Sequence, residues 1–136
     1  MIVFQKQVHY SRHFLNICTA AILLIHGVAG MFNEGMTQFG SYLDLKGLAP
    51  LGLLCAWVIK LSHVWAAVCI LIGKWRFWIL LFTIFILLAG IFMVHLPQGW
   101  FVVGGGFNGI EFNLLLIAVL TVILFDPPAA TNKTGS

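Results

Sequence analysis

Charge is what this 136-residue chain has least of: Asp, Glu, Lys and Arg together make up 8%. A water-soluble domain carries about 25% charged residues, so a soluble fold is excluded. Also missing is any sustained apolar/polar alternation. The apolar stretches are about twice the length of a barrel strand, which rules out a transmembrane β-barrel. The three cysteines, Cys18, Cys55 and Cys69, are isolated and never form Cys-x-x-Cys. They read as small apolar packing residues, and thiol–disulfide chemistry has no pair to act through. The net charge of +3 comes without a basic surface domain, which leaves nothing for nucleic acid to dock on.

What the chain does have is hydrophobic residues, 61% of the total. They gather into four runs, Phe14–Phe32, Leu51–Ile72, Phe77–Leu96 and Phe107–Phe125. Each approaches the roughly 20 residues needed to cross about 30 Å of hydrocarbon as a helix. The expected fold is therefore all-α, a polytopic four-transmembrane-helix bundle in one domain spanning residues 1–128. Its helices are expected at about 13–33, 50–72, 77–96 and 108–126, with 129–136 a disordered tail. The first run is read as a retained helix rather than a cleaved leader, its apolar stretch exceeding the usual 7–15 residues.

Basic residues orient the bundle. Lys6, Arg12, Lys74, Arg76 and Lys133 fall on one side, and only Lys46 in a loop on the other, beside Glu34 and Asp44. That bias puts both termini and the 73–76 turn in the cytoplasm. The segment 33–49 is turn-rich and mildly amphipathic, suited to the outer membrane–water interface. Pro50 suits the first turn of the second helix, Gly73 closes it, and Trp75 and Trp78 are placed as interface anchors. On the first helix, Ala20, Leu23, Gly27 and Gly30 form a mostly small face against which a neighbour can approach closely.

The informative residues are the polar ones inside the apolar runs. Lys60 and His63 sit three positions apart on one face of the second run. A charge at bilayer depth costs roughly 2.5–3.5 kcal/mol on insertion scales, so it needs a partner or a purpose. Counting 1.5 Å per residue puts His26 and His63 in the outer half of the bundle or near its middle. His95 ends the third run and Glu111 opens the fourth, again on the outer side. These five residues are expected to converge. His26, His63, His95 and Glu111 are the candidate catalytic residues; Lys60, Trp57, Trp100 and Asn108 are the candidate substrate contacts.

Three chemistries suit that set. Lys60 and Glu111 could form a neutral ion pair between helices. Three histidines and a carboxylate could ligate zinc, copper or iron, but no His-x-x-x-His or Glu-x-x-His spacing prearranges two ligands, and metal ranks low. Histidine paired with a carboxylate can also pass protons to a quinone ring held between aromatic side chains such as Trp57, Trp65 and Trp100. Gly104–Gly109 satisfies G-x-G-x-x-G, yet it neither follows a strand nor opens a βαβ unit, so nucleotide binding is rejected.

The same residues carry a family resemblance. Arg12 followed by His26-Gly27, the Gly73 turn before Arg76, and above all Val94-His95-Leu96-Pro97-Gln98-Gly99-Trp100-Phe101 with Gly104-Gly105-Gly106 and Glu111 resemble the DoxX family. The likeness runs from about Arg12 to Phe125. It implies a small four-helix protein of a bacterial inner membrane, of a kind linked in some cases to quinone-coupled or other membrane redox systems. Two departures stand out. His63 occupies a place where such proteins commonly carry Glu, and Asp126-Pro127-Pro128 replaces a Gly-Pro-Gly ending. The combined expectation is a redox-associated subunit binding a quinone or small lipophilic substrate, in the bilayer and in a larger membrane complex. The alternative is a non-enzymatic scaffold or assembly subunit that packs through small-residue faces.

Overall fold

A backbone without water around it must satisfy its own N–H and C=O groups, and the apolar runs of this chain do so as helices. The computed structural model describes residues 2–102 and 109–126, and within them it is helical with no strand. Five α-helices follow one another: α1 (Ile2–Val28), α2 (Gly35–Leu43), α3 (Gly52–Ile72), α4 (Arg76–Gly90) and α5 (Ile110–Phe125). A wide π-type turn, Asp44–Leu48, follows α2. Another, Ile91–His95, continues α4 and leads into a 3₁₀ turn at Leu96–Gln98.

Among the described residues, three stretches are long and apolar enough to cross a membrane: Tyr10–Val28, Gly52–Ile72 and Arg76–Gln98. The fourth apolar helix, α5, has 16 residues. That is roughly 24 Å of helix against about 30 Å of hydrocarbon.

The expected boundaries move in several places. α1 starts at Ile2 rather than near residue 13, because hydropathy marks where lipid begins and not where a helix can begin. It ends at Val28 rather than residue 33, the chain turning at Gly30. The segment expected to be turn-rich holds α2, entered through Asn33 Oδ1, which accepts the Gly35 N–H at 2.9 Å. Pro50 precedes α3 rather than standing in its first turn. The cap comes from further back: Asp44 Oδ1 accepts the Gly52 N–H at 2.8 Å, placing a carboxylate at a helix N-terminus where the dipole favours it. The third span leaves α-geometry at Gly90, before Pro97 is reached. Gly73 closes α3 as expected, with φ 73° and its N–H on the Cys69 carbonyl at 2.9 Å. The tail 129–136 lies outside the described residues.

α1 packs along α3, α3 on α4, α4 on α5, and α5 returns to α1. At one end, Arg12 Nη2 and Asp126 Oδ1 meet at 3.0 Å, tying α1 to the end of α5. Buried apolar side chains form two groups. The larger joins Ala20, Leu23, Ala66, Ile70, Leu80 and Leu120 across the four long helices. The smaller puts Met36 and Leu43 of α2 on Ala56 of α3. The small face of α1 is used within the chain: Ala20 and Leu23 are buried, and a Cβ added at Gly27 would lie 2.8 Å from Val64 Cγ2 and 2.9 Å from the Lys60 carbonyl oxygen.

That geometry makes a comparison testable. Gly27→Ala forces backbone apart and is expected to cost about 1–3 kcal/mol, the usual range for overpacking. Gly90→Ala, where the nearest atoms of the His95 ring would lie 3.9 Å away, is expected to be neutral or to gain up to about 1 kcal/mol of helix propensity. Unfolding of both variants in detergent micelles measures the difference; equal stability contradicts the close-approach account.

Candidate functional site

Lys60 finds its partner on α1. Its Nζ donates to the His26 carbonyl at 2.7 Å. His26 lies within the last turn of α1, where carbonyls have no intrahelical N–H to accept and carry the negative end of the helix dipole. An ammonium reaching across from α3 therefore caps α1, and the close approach at Gly27 brings the two helices near enough for it to do so. The same Nζ lies 5.8 Å from the centre of the Phe39 ring, so α2 covers it with an aromatic face. This arrangement differs from the ion pair with Glu111 that the composition suggested. A carbonyl and a ring, both invisible as charges in the sequence, stabilise the cation.

His63, near the middle of α3, is 1% exposed. Its Nδ1 faces the Ile59 carbonyl at 2.6 Å. A carbonyl only accepts, so Nδ1 carries the proton, and in a neutral ring Nε2 is then an acceptor. That Nε2 is buried without a hydrogen-bond partner among the described residues. Beside it stands the His26 ring, with centroids 5.3 Å apart and planes tilted by 50°. Whereas His63 is enclosed, the His26 side chain is exposed at the rim. The pair thus links a buried acceptor to the surface of the bundle.

The remaining candidates fall into two groups. His95 stays with the cluster: it lies within electrostatic reach of His26, and the π-type turn folds its ring over Gly90. Local π-geometry inside a helix is frequent at functional sites. Glu111 is engaged elsewhere. Its Oε1 accepts the Val102 N–H at 2.8 Å, while its own N–H goes to the Trp100 carbonyl at 3.2 Å. It fastens the 99–102 segment to the start of α5 rather than meeting Lys60. Trp57 and Trp100 are 38% and 53% exposed, and neither stacks on the His26–His63 pair. Asn108 lies outside the described residues, as do Gly104–Gly106.

Four buried polar residues, Thr19, Ser62, Thr83 and Asn113, carry no mark in the sequence analysis, and two of them stand on the later helices. Asn113 is buried on α5 at 7% exposure, and Thr83 is fully buried on α4 with its hydroxyl on the Ile79 carbonyl at 2.8 Å. Each interrupts an apolar run, the signal that drew attention to His63. Among the described residues, no three His, Cys, Asp or Glu side chains come together as a metal site. The two histidines of the pair fall short of the three protein ligands of a catalytic zinc centre. No family model, no curated protein and no solved structure matches this chain.

The two central side chains should part company under mutation. Lys60→Met removes a charge-assisted hydrogen bond and is expected to cost about 1.5–3 kcal/mol. His63→Phe replaces an unsatisfied buried acceptor, itself a burden of about 1–3 kcal/mol, with an apolar ring of similar reach. It is expected to leave stability unchanged or raise it. Denaturation of both variants in the same detergent tests this; a His63→Phe variant as damaged as Lys60→Met would mean that the histidine is structural.

Proposed function

We propose that this chain is a DoxX-like integral membrane protein of a bacterial inner membrane, a redox-associated subunit that binds a quinone or small lipophilic substrate at the His26–Lys60–His63 layer. The observation that carries the reading is the His63 Nε2 atom, a buried acceptor with no hydrogen-bond partner among the described residues. An unsatisfied buried polar group costs stability, and such groups in native proteins call for an explanation in function. An apolar molecule bearing a hydroxyl supplies what this nitrogen lacks while matching the surrounding hydrocarbon. A quinol hydroxyl does this, and once bound it can pass its proton to Nε2.

Each side chain then has a role. His63 accepts the ligand's hydroxyl. His26, exposed at the rim and adjacent to His63, exchanges protons between the buried ring and the interface. Lys60 keeps spare N–H donors beyond the one on the His26 carbonyl, which suit a ring carbonyl or methoxy oxygen. His95 closes the layer from the α4 side. Glu111 holds the neighbouring segment in place through Val102. The chain has no haem ligand pair or Cys cluster to carry electrons, so an electron partner in a larger membrane complex belongs to this reading. In the bilayer, α5 forms the fourth span by tilting less than its neighbours or by drawing the membrane thinner. Both termini face the cytoplasm in this topology, following the basic residues.

The scaffold reading keeps part of its surface: the small face at Gly27 is occupied by α3 of the same chain, whereas a Cβ at Gly90 would meet only the His95 ring.

The test is to purify the protein, titrate it anaerobically with a short-chain ubiquinol and the matching ubiquinone, and measure quinone-dependent redox activity in membranes. Binding by the wild type with at least roughly tenfold loss in His63→Phe, the worth of one good hydrogen bond, supports the proposal. Absence of bound lipophile and of quinone-dependent activity, together with an unaltered phenotype in a His95→Ala strain, overturns it.

A further inference from the structure

The turn between α3 and α4 carries features that the polar layer does not use. Lys74 and Arg76 stand there with no acidic partner among the described residues. Between them Trp75 adopts φ 53°, a left-handed backbone that a bulky residue adopts only under constraint. Its indole is 73% exposed. Strain of this kind is retained where the surroundings or a function demand it, and here it aims an aromatic ring along the outside of the bundle.

That ring borders an open furrow of ≈ 430 Å³ lined by Trp65, Trp75, Phe77, Trp78, Ile79 and Phe82. A second furrow of ≈ 480 Å³ shares Trp78 and Phe82 and continues along α4 to Phe85 and Leu88. From Trp78 to Leu88 the helix rises about 15 Å. The combined trough is apolar along its length, and at one end its lining residues Trp75 and Phe77 are the chain neighbours of Lys74 and Arg76. In a bilayer the turn lies at the headgroup level, and the trough descends from it into hydrocarbon.

We infer that this trough is a specific site for an anionic phospholipid, with its phosphate on Lys74 and Arg76 and one acyl chain laid along Trp78, Phe82 and Phe85. Charge complementarity selects the headgroup, because anionic lipids are drawn to basic residues at the membrane edge. Tryptophan supplies a rigid amphipathic ring for the glycerol region and an apolar face for the chain. A zwitterionic lipid would fill the trough equally well, but its own ammonium offsets the attraction between its phosphate and the two basic residues, so it gains less from them. The site lies on the α3–α4 turn, away from His26 and His63, and stands independently of the quinone reading.

Native mass spectrometry of the full-length protein, released from detergent in the presence of phosphatidylglycerol or phosphatidylcholine with identical acyl chains, tests the inference. Two cations near the surface predict retention of phosphatidylglycerol roughly ten- to thirtyfold above phosphatidylcholine. The preference should shrink as ionic strength rises and vanish in a Lys74→Gln/Arg76→Gln double variant, which changes an exposed side chain of the turn and a half-buried one at the start of α4. Trp78→Ala should lower retention of both lipids while leaving the preference in place. Equal retention of the two lipids by the wild type overturns the site, and so does a preference that survives the double substitution. A Trp78→Ala protein that holds both lipids as well as the wild type overturns the placement of the chain.

Discussion

The contact between α1 and α3 sets the terms for everything at this end of the molecule. Gly27 lets the helix axes come close, since any Cβ there would press on Val64 and on the Lys60 backbone. Close approach puts the Lys60 ammonium on the His26 carbonyl. The bond compensates two liabilities at once, a cation at membrane depth and the bare carbonyl end of a helix. Separate the helices by an ångström or two and both liabilities return. The rings of His26 and His63 then also lose the juxtaposition that makes them a pair.

Placed between two apolar groups, the polar layer divides the bundle. Below it, Ala66, Ile70, Leu23 and Leu120 make an interior of hydrocarbon character. Above it, α2 closes over Ala56 with Met36 and Leu43, and turns Phe39 toward the ammonium. Asp44 anchors this cover to the start of α3. The layer is thus enclosed from above by a short helix, backed by packed side chains, and open at one rim through His26.

The long spans were legible in the sequence, because twenty apolar residues leave few physical options. So was the nearness of His26, Lys60 and His63, because a helical rise converts sequence position into depth. What was hidden shares a cause. α2, with Gly35, Gly40 and Ser41, has poor intrinsic helicity and forms by resting on α3, where Gly40 meets the backbone of Leu53. The partner of Lys60 is a main-chain oxygen, and backbone acceptors leave no mark in composition. Opposite charges drew attention to Glu111, yet its carboxylate satisfies an N–H in the adjoining loop. Charge pairing is only one way to stabilise an intramembrane ion, and here helix capping supplied another.

The account turns on the state of one imidazole, held by Ile59 through Nδ1 and bare at Nε2. Nitrogen NMR of ¹⁵N-histidine-labelled protein in lipid nanodiscs reads both atoms of His63 directly, assigned by comparison with a His63→Phe sample. The account predicts a protonated Nδ1, an unprotonated Nε2, and an Nε2 resonance that moves when a lipophilic quinol is added. A proton on Nε2, or a resonance indifferent to every hydroxyl-bearing lipophile, would contradict it.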